Sequence, residues 1–218
     1  STGNDTDAFK LGGYYQVNDQ VSLRATVQTA TRHGSITELY RGQGSSLTDL
    51  DPDPCGTDPE TNIGPSYTQA QCANTGLPAS LYGSDLKSPA DQYNILTGGN
   101  PNLVPEESES TTIGIVLTPD AIPGLTLTLD YFDIVVEDKI GTIPASTSLK
   151  NCLETGNPTF CNLIERDPIA GTLWVSPGQI ITTNTNVAEE SMTGFDLLFD
   201  YMLETGLGPI DIKGITTV

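Results

Sequence analysis

Few side chains in this sequence have a type and spacing that could do chemistry. His33 is the single histidine and has no Ser or Cys partner in the sequence around it; the adjoining Gly34-Ser35 is not a nucleophile elbow. It reads as a polar residue at the base of a loop. Glu106-Glu107 and Glu189-Glu190 pair carboxylates only by adjacency. Neighbours along a strand face opposite ways, so neither pair can flank one bond for acid–base work. Gly98-Gly99-Asn100 is too short, and lacks the lysine, to cradle a phosphate. Asp49, Asp51 and Asp53 set hard oxygens at alternate positions, a pattern that could chelate Ca²⁺. The glycine and distal glutamate of an EF-hand loop are missing, so a solvated acidic loop is the preferred reading and no resident metal is expected. Tyr40, Tyr67, Tyr82 and Tyr93 stand among Asn, Gln and Asp, where aromatic rings could stack on a sugar or a chelate, or could pack a loop against itself. No catalytic residue and no cofactor follow from these patterns, and the protein does not read as an enzyme.

The four cysteines form two local pairs, Cys55 with Cys72 and Cys152 with Cys161, 17 and 9 residues apart in stretches rich in Pro, Asn, Asp and Gly. Neither pair has metal-site spacing. They read as two loop-closing disulfides of an exported protein; the other reading is four free thiols in a cytosolic chain.

Composition narrows the class. Hydrophobic residues make up 36 % and charged residues 17 %, and the remainder is rich in Thr, Ser, Asn and Gln with 22 Gly and 15 Pro. That is the palette of strands, turns and ordered loops rather than of helix bundles. Nine Lys and Arg against 28 Asp and Glu leave a formal charge of −19, the wrong sign for tracking phosphates, so nucleic acid is excluded as a partner. The sequence contains no apolar run long enough for a membrane helix, and the opening Ser1-Thr2-Gly3-Asn4-Asp5 does not read as a signal peptide. A β-barrel passes this test, because its strands carry no such run.

Period-two alternation supplies the elements. Phe9, Leu11, Gly13, Tyr15 and Val17 alternate with Lys10, Gly12, Tyr14 and Gln16, and after a tight Asn18-Asp19 turn Val21, Leu23, Ala25 and Val27 alternate with Ser22, Arg24, Thr26 and Gln28. Residues 32–108 show no sustained period and allow at most a helical turn or two near 88–96. This stretch carries ten acidic side chains against three basic ones. Strands resume over 112–118 and 125–136. A second irregular stretch over 139–170 includes a short helix near 148–153. Strands follow over 173–183, 193–203 and 210–218, giving about seven in all. Tight turns alternate with very long connections, and several strands reach the roughly nine to eleven residues that cross a bilayer when tilted. The Leu125/Leu127/Leu129/Tyr131 face suits acyl chains, and Lys10, Arg24, Asp196 and Asp200 fall on opposite, polar faces.

These segments resemble TonB-dependent outer-membrane receptors. Arg24-Ala25-Thr26 through Ile36-Thr37-Glu38-Leu39-Tyr40 is similar to that family's RAT…IxEL(F/Y) strand and loop start. Gly99-Asn100-Pro101-Asn102-Leu103-Val104-Pro105-Glu106-Glu107-Ser108 is similar to its GNPxLxPExS segment. Leu127–Val135 resembles its LxLDYFDIxV strand, and Asn184-Thr185-Asn186 with Thr193-Gly194-Phe195-Asp196 its entry into a late strand; both cysteine pairs resemble the paired loop cysteines of its larger members. The resemblance spans nearly the whole chain. It implies an all-β antiparallel meander, over 1–218, that is part of a 22-stranded transmembrane barrel with long extracellular loops. The family's plug domain and TonB-contacting box have no counterpart here, so the chain reads as a piece of the barrel.

Function follows from the resemblance as an expectation: an outer-membrane segment, in a Gram-negative bacterium, for uptake of a nutrient such as an iron–siderophore or a carbohydrate oligomer. Its partners would be the TonB complex through the missing plug, outer-membrane lipid and lipopolysaccharide, and the small nutrient ligand. Tyr14, Arg24, Gln28, Asp130 and Asp196 on a lumen face, with Tyr40 and Arg41 in a loop, would line the substrate path. The alternative is a secreted, acidic, disulfide-stapled β-sandwich that works as an adhesin or sugar-binding module.

Overall fold

Residues 7–187 and 189–218 are described by the structure, a computed structural model; the polar opening discussed above lies outside them. Among the described residues twelve strands follow in chain order. They are β1 Phe9–Asn18, β2 Val21–Arg32, β3 Gly44–Asp49, β4 Gln92–Thr97, β5 Glu106–Leu117 and β6 Leu125–Glu137. The rest are β7 Ile140–Gly141, β8 Ile164–Glu165, β9 Gln179–Ile181, β10 Thr185–Asn186, β11 Glu190–Thr205 and β12 Gly208–Thr217. The helices are α1 Ile36–Tyr40, α2 Gln69–Ala73, α3 Ala145–Thr155 and α4 Pro158–Cys161. The chain divides into two units.

The first unit comprises 7–33, Val104–Lys139 and 189–218. It is one antiparallel sheet in the order β1-β2-β5-β6-β11-β12. The alternation of its strands makes two faces, because side chains point up and down with period two and the register holds like with like. Leu23, Ile115, Leu129 and Leu197 stand opposite one another in an apolar row. In a parallel row the rings of Tyr131 and Phe195 lie 5.3 Å apart. Turns of a few residues join β1 to β2, β5 to β6 and β11 to β12. The two long connections leave from the opposite strand ends.

The sheet is open, and this corrects the expected architecture. β1 and β12 pair with no further strand among the described residues, and the twelve strands fall into three separate sheets. A 22-stranded barrel of transmembrane β-strands is therefore not what these residues form: closure needs edge strands to pair, and both edges here keep unpaired N–H and C=O groups. The apolar face has no cover within this unit, so Leu11, Ile113 and Phe195 remain 65 %, 57 % and 51 % exposed.

The second unit comprises Gly34–Leu103 and Ile140–Val187, the two long connections folded together. The buried hydrophobic core lies here: Leu77, Leu86, Tyr93, Leu153, Leu173 and Ile180 pack around the half-cystines. Four strands pair in the order β3-β4-β9-β8, with β4 and β9 parallel, and β10 pairs with β7. The stretch read as irregular over 32–108 thus holds two six-residue strands, one of them where a helical turn was expected near 88–96. The strand expected over 173–183 shortens to β9. Elements this brief leave too few alternations to show a period. The helix expected near 148–153 is α3, whose Ala145, Ser148, Leu149, Cys152 and Leu153 form one buried stripe and whose end is capped by Gly156 in the left-handed region. The helices α1 and α2 are closed by capping boxes, Ser35 with Glu38 and Thr68 with Gln71.

Candidate functional site

Both units present polar concavities. On the sheet, a single register row crosses all six strands as Tyr14, Arg24, Gly114, Asp130, Asp196 and Thr217. Arg24 and Asp130 stand on strands separated by β5, about 10 Å apart in the sheet plane, yet Arg24 Nε donates to Asp130 Oδ1 at 2.8 Å and a second guanidinium bond completes the pair. Gly114 makes this possible, because a Cβ there would collide with the Asp130 carboxylate. Asp130 and Asp196 are direct cross-strand neighbours, a like-charge arrangement that costs stability unless offset. Arg24 neutralises the first, and the hydroxyl of Thr217 donates to Asp196 at 2.6 Å. Lys10, Gln28 and Thr112 join Arg24, Asp130 and Asp196 around a cavity of about 590 Å³. Tyr14 sits in the row but turns its hydroxyl to Ser22 at 2.6 Å.

The second unit carries a groove of about 710 Å³. Its polar rim is Arg41, Asp49, Asp51, Thr97, Ser146 and Thr182; Leu50, Ile95 and Ile143 form its apolar floor. Each long connection supplies part of it: Arg41 follows α1, Asp49 and Asp51 end and follow β3, and Ser146 opens α3. The unit that carries the groove is stapled. Cys55–Cys72 and Cys152–Cys161 are both disulfides, and no free cysteine is present among the described residues. Each staple closes a loop within one connection. A buried ion pair also links the two connections: Arg166 donates to Asp53 Oδ2 at 2.6 Å, to Thr75 Oγ1 at 2.7 Å and to the Gly171 carbonyl at 2.8 Å, with both charged side chains almost wholly out of solvent.

That ion pair decides the fate of the aspartate cluster. Asp53 is turned inward to Arg166 while Asp49 and Asp51 face the groove, so the three carboxylates do not converge on one cation. The tyrosines divide as well. Tyr93 is buried, and desolvation raises its phenol above the usual value. Tyr82 donates to the Tyr67 carbonyl at 2.8 Å, and the Tyr67 hydroxyl lies 3.4 Å from Glu154. Burial, then the Glu154 charge, raises the Tyr67 phenol too. Tyr40 is exposed and lies outside the groove lining, whereas Arg41 is in it. The sequence reading missed the groove hydroxyls of Thr97, Ser146 and Thr182, which carry no periodic signal. It also missed Arg166, which stands between Glu165 and Asp167 and so reads as one more solvated charge.

Together these features define a β-sheet protein with a stapled, polar-grooved appendage and, among the described residues, no group of ligands for a metal ion. The chain belongs to the family described as TonB dependent receptor-like, beta-barrel, whose model matches residues 1–211. Membership marks it as a non-enzyme and associates it with the bacterial outer membrane and, in general terms, with TonB-linked transport proteins. No curated protein matches the chain. Among solved structures it is similar to the siderophore receptor PirA from Pseudomonas aeruginosa, at 13 % identity over 96 % of this chain and 28 % of that one, with a TM-score of 0.47. It is also similar to a mutant ferric enterobactin receptor, PfeA, from Pseudomonas aeruginosa in complex with enterobactin, at 14 % identity over 95 % and 22 %, with a TM-score of 0.50. A double mutant of the Serratia marcescens hemophore receptor HasR, in complex with its hemophore HasA and heme, matches at 15 % identity over 97 % and 22 %, with a TM-score of 0.48. At such identities the likeness concerns the fold alone. The chain spans only 22–28 % of the length of these receptors.

The functional expectation is corrected accordingly. The described residues form an open sheet and a disulfide-bonded β unit, not a closed transmembrane passage, so the reading of this segment as a nutrient-uptake barrel is set aside. The alternative of a disulfide-stapled binding module fits the structure better.

Proposed function

We propose that the second unit is a non-catalytic carbohydrate-recognition module displayed by an outer-membrane protein of this family. The groove lined by Arg41, Asp49, Asp51 and the hydroxyl side chains of Thr48, Thr97, Thr142, Ser146 and Thr182 carries the reading. Carboxylates accept hydrogen bonds from vicinal hydroxyls, the guanidinium donates to ring and hydroxyl oxygens, and the aliphatic floor supports the apolar face of a sugar ring. The unit holds eleven carboxylates against four cationic side chains, which disfavours an anionic ligand. In this reading the finer family partners, the TonB complex through a plug and lipid or lipopolysaccharide, engage segments other than the second unit.

The test is titration of the full chain with a panel of neutral mono- and oligosaccharides. Arg41→Ala removes a charge-assisted hydrogen bond and is expected to weaken binding by about tenfold or more. Failure of every saccharide to bind, or indifference to Arg41→Ala, would refute the proposal.

A further inference from the structure

The groove continues beyond Asp51. A second cavity of about 260 Å³ shares Leu50, Asp51 and Ser146 with it and runs along the flank of α3. Its lining changes character: Pro52, Pro54 and Tyr67 form one wall, and Leu149 and Leu153 the other. Both leucines belong to the buried core and are fixed by the helix, at 8 % and 1 % exposure. The Tyr67 backbone carbonyl accepts from the Tyr82 hydroxyl, and the ring's own hydroxyl faces Glu154. Past the shared residues only Lys150 adds a charge, and its side chain is largely exposed.

A saccharide ring is a poor occupant for such walls, since hydroxyls buried there would lose their water without gaining partners. An apolar ring loses nothing and gains an aromatic neighbour and two leucines. The large compartment falls within the usual size of ligand sites and the small one just below it, so one compartment suits the saccharide and the other a single appended ring. We infer that the ligand is a saccharide bearing an aryl substituent, with the sugar between Arg41 and Asp51 and the aryl ring between Tyr67 and Leu153. This rests on the carbohydrate reading and specifies it.

Methyl and phenyl glycosides of the same neutral hexoses, titrated into the full chain, provide the test. The phenyl glycoside is expected to bind about tenfold more tightly than its methyl counterpart. Tyr67→Ala should bring the two to parity, while Tyr67→Phe should keep the difference. Saturation-transfer NMR on the unaltered protein gives a readout independent of any variant's folding: irradiating leucine methyl resonances should saturate the phenyl protons more than the pyranose protons. Equal affinities, or saturation spread evenly over both rings, would overturn this inference alone. Absence of binding by both glycosides would remove the carbohydrate reading with it.

Discussion

Replacing Arg166 by methionine removes the buried ion pair that links the two long connections. The substitution leaves the Asp53 carboxylate buried with the Cys55 backbone N–H, at 3.0 Å, as its remaining partner. An uncompensated buried charge of this kind costs about 3–5 kcal/mol. The loss can be read specifically, because Trp174 is the single tryptophan and its indole N–H donates to the Leu86 carbonyl at 3.2 Å inside the same unit. Urea unfolding of the full chain, followed by tryptophan emission with disulfides intact, should show the midpoint falling by roughly 1.5–2.5 M at an m-value of about 2 kcal/mol/M. The double variant Asp53→Leu with Arg166→Met should recover about half of that loss, because an apolar pair of similar volume is often neutral in place of a buried ion pair. About 1 kcal/mol should stay missing for each orphaned backbone group, here the Cys55 N–H and the Gly171 carbonyl. A single variant that loses less than about 1 kcal/mol, or a double variant no more stable than the single, would refute the assignment of Arg166 as the clamp.

Two further outcomes follow from the same unit. Serine replacement of Cys55 and Cys72 opens a 17-residue separation and should cost about 3 kcal/mol, a few tenths more than the same change at Cys152 and Cys161, where the separation is 9; urea midpoints in the reverse order would contradict a loop-entropy origin. Burial raises the Tyr93 phenol above its ordinary value of 10.0, so the folded unit holds that proton more tightly than the unfolded chain does. The associated stability is complete below about pH 10 and declines as pH climbs through the raised folded value. Tyr93→Phe should flatten that alkaline decline in tryptophan-monitored unfolding, and an unchanged slope would exclude Tyr93 as its source.

The legibility of this protein divides along its two units. Five of the sheet's six strands were visible at least in part as alternation and the sixth, near the end of the sequence, as a strand without it, and Tyr14, Arg24, Asp130 and Asp196 could be assigned to polar faces from the sequence. Their alignment in one row could not, because Arg24 and Asp130 are 106 residues apart and meet only across Gly114. Both disulfides were legible, since each closes within a short local stretch. The groove was legible only in part: Arg41, Asp49 and Asp51 stood out as charges, but nothing local links them to Ser146 or Thr182.

Strand period, charge balance and local cysteine pairing are properties of short backbone stretches, and the sequence alone determined them. Where the sheet ends, which aspartate turns inward to Arg166 across 113 residues, and which hydroxyls share a groove were decided by tertiary structure. Those outcomes depend on packing between distant, aperiodic segments, where burial and hydrogen bonding choose partners that no local pattern encodes.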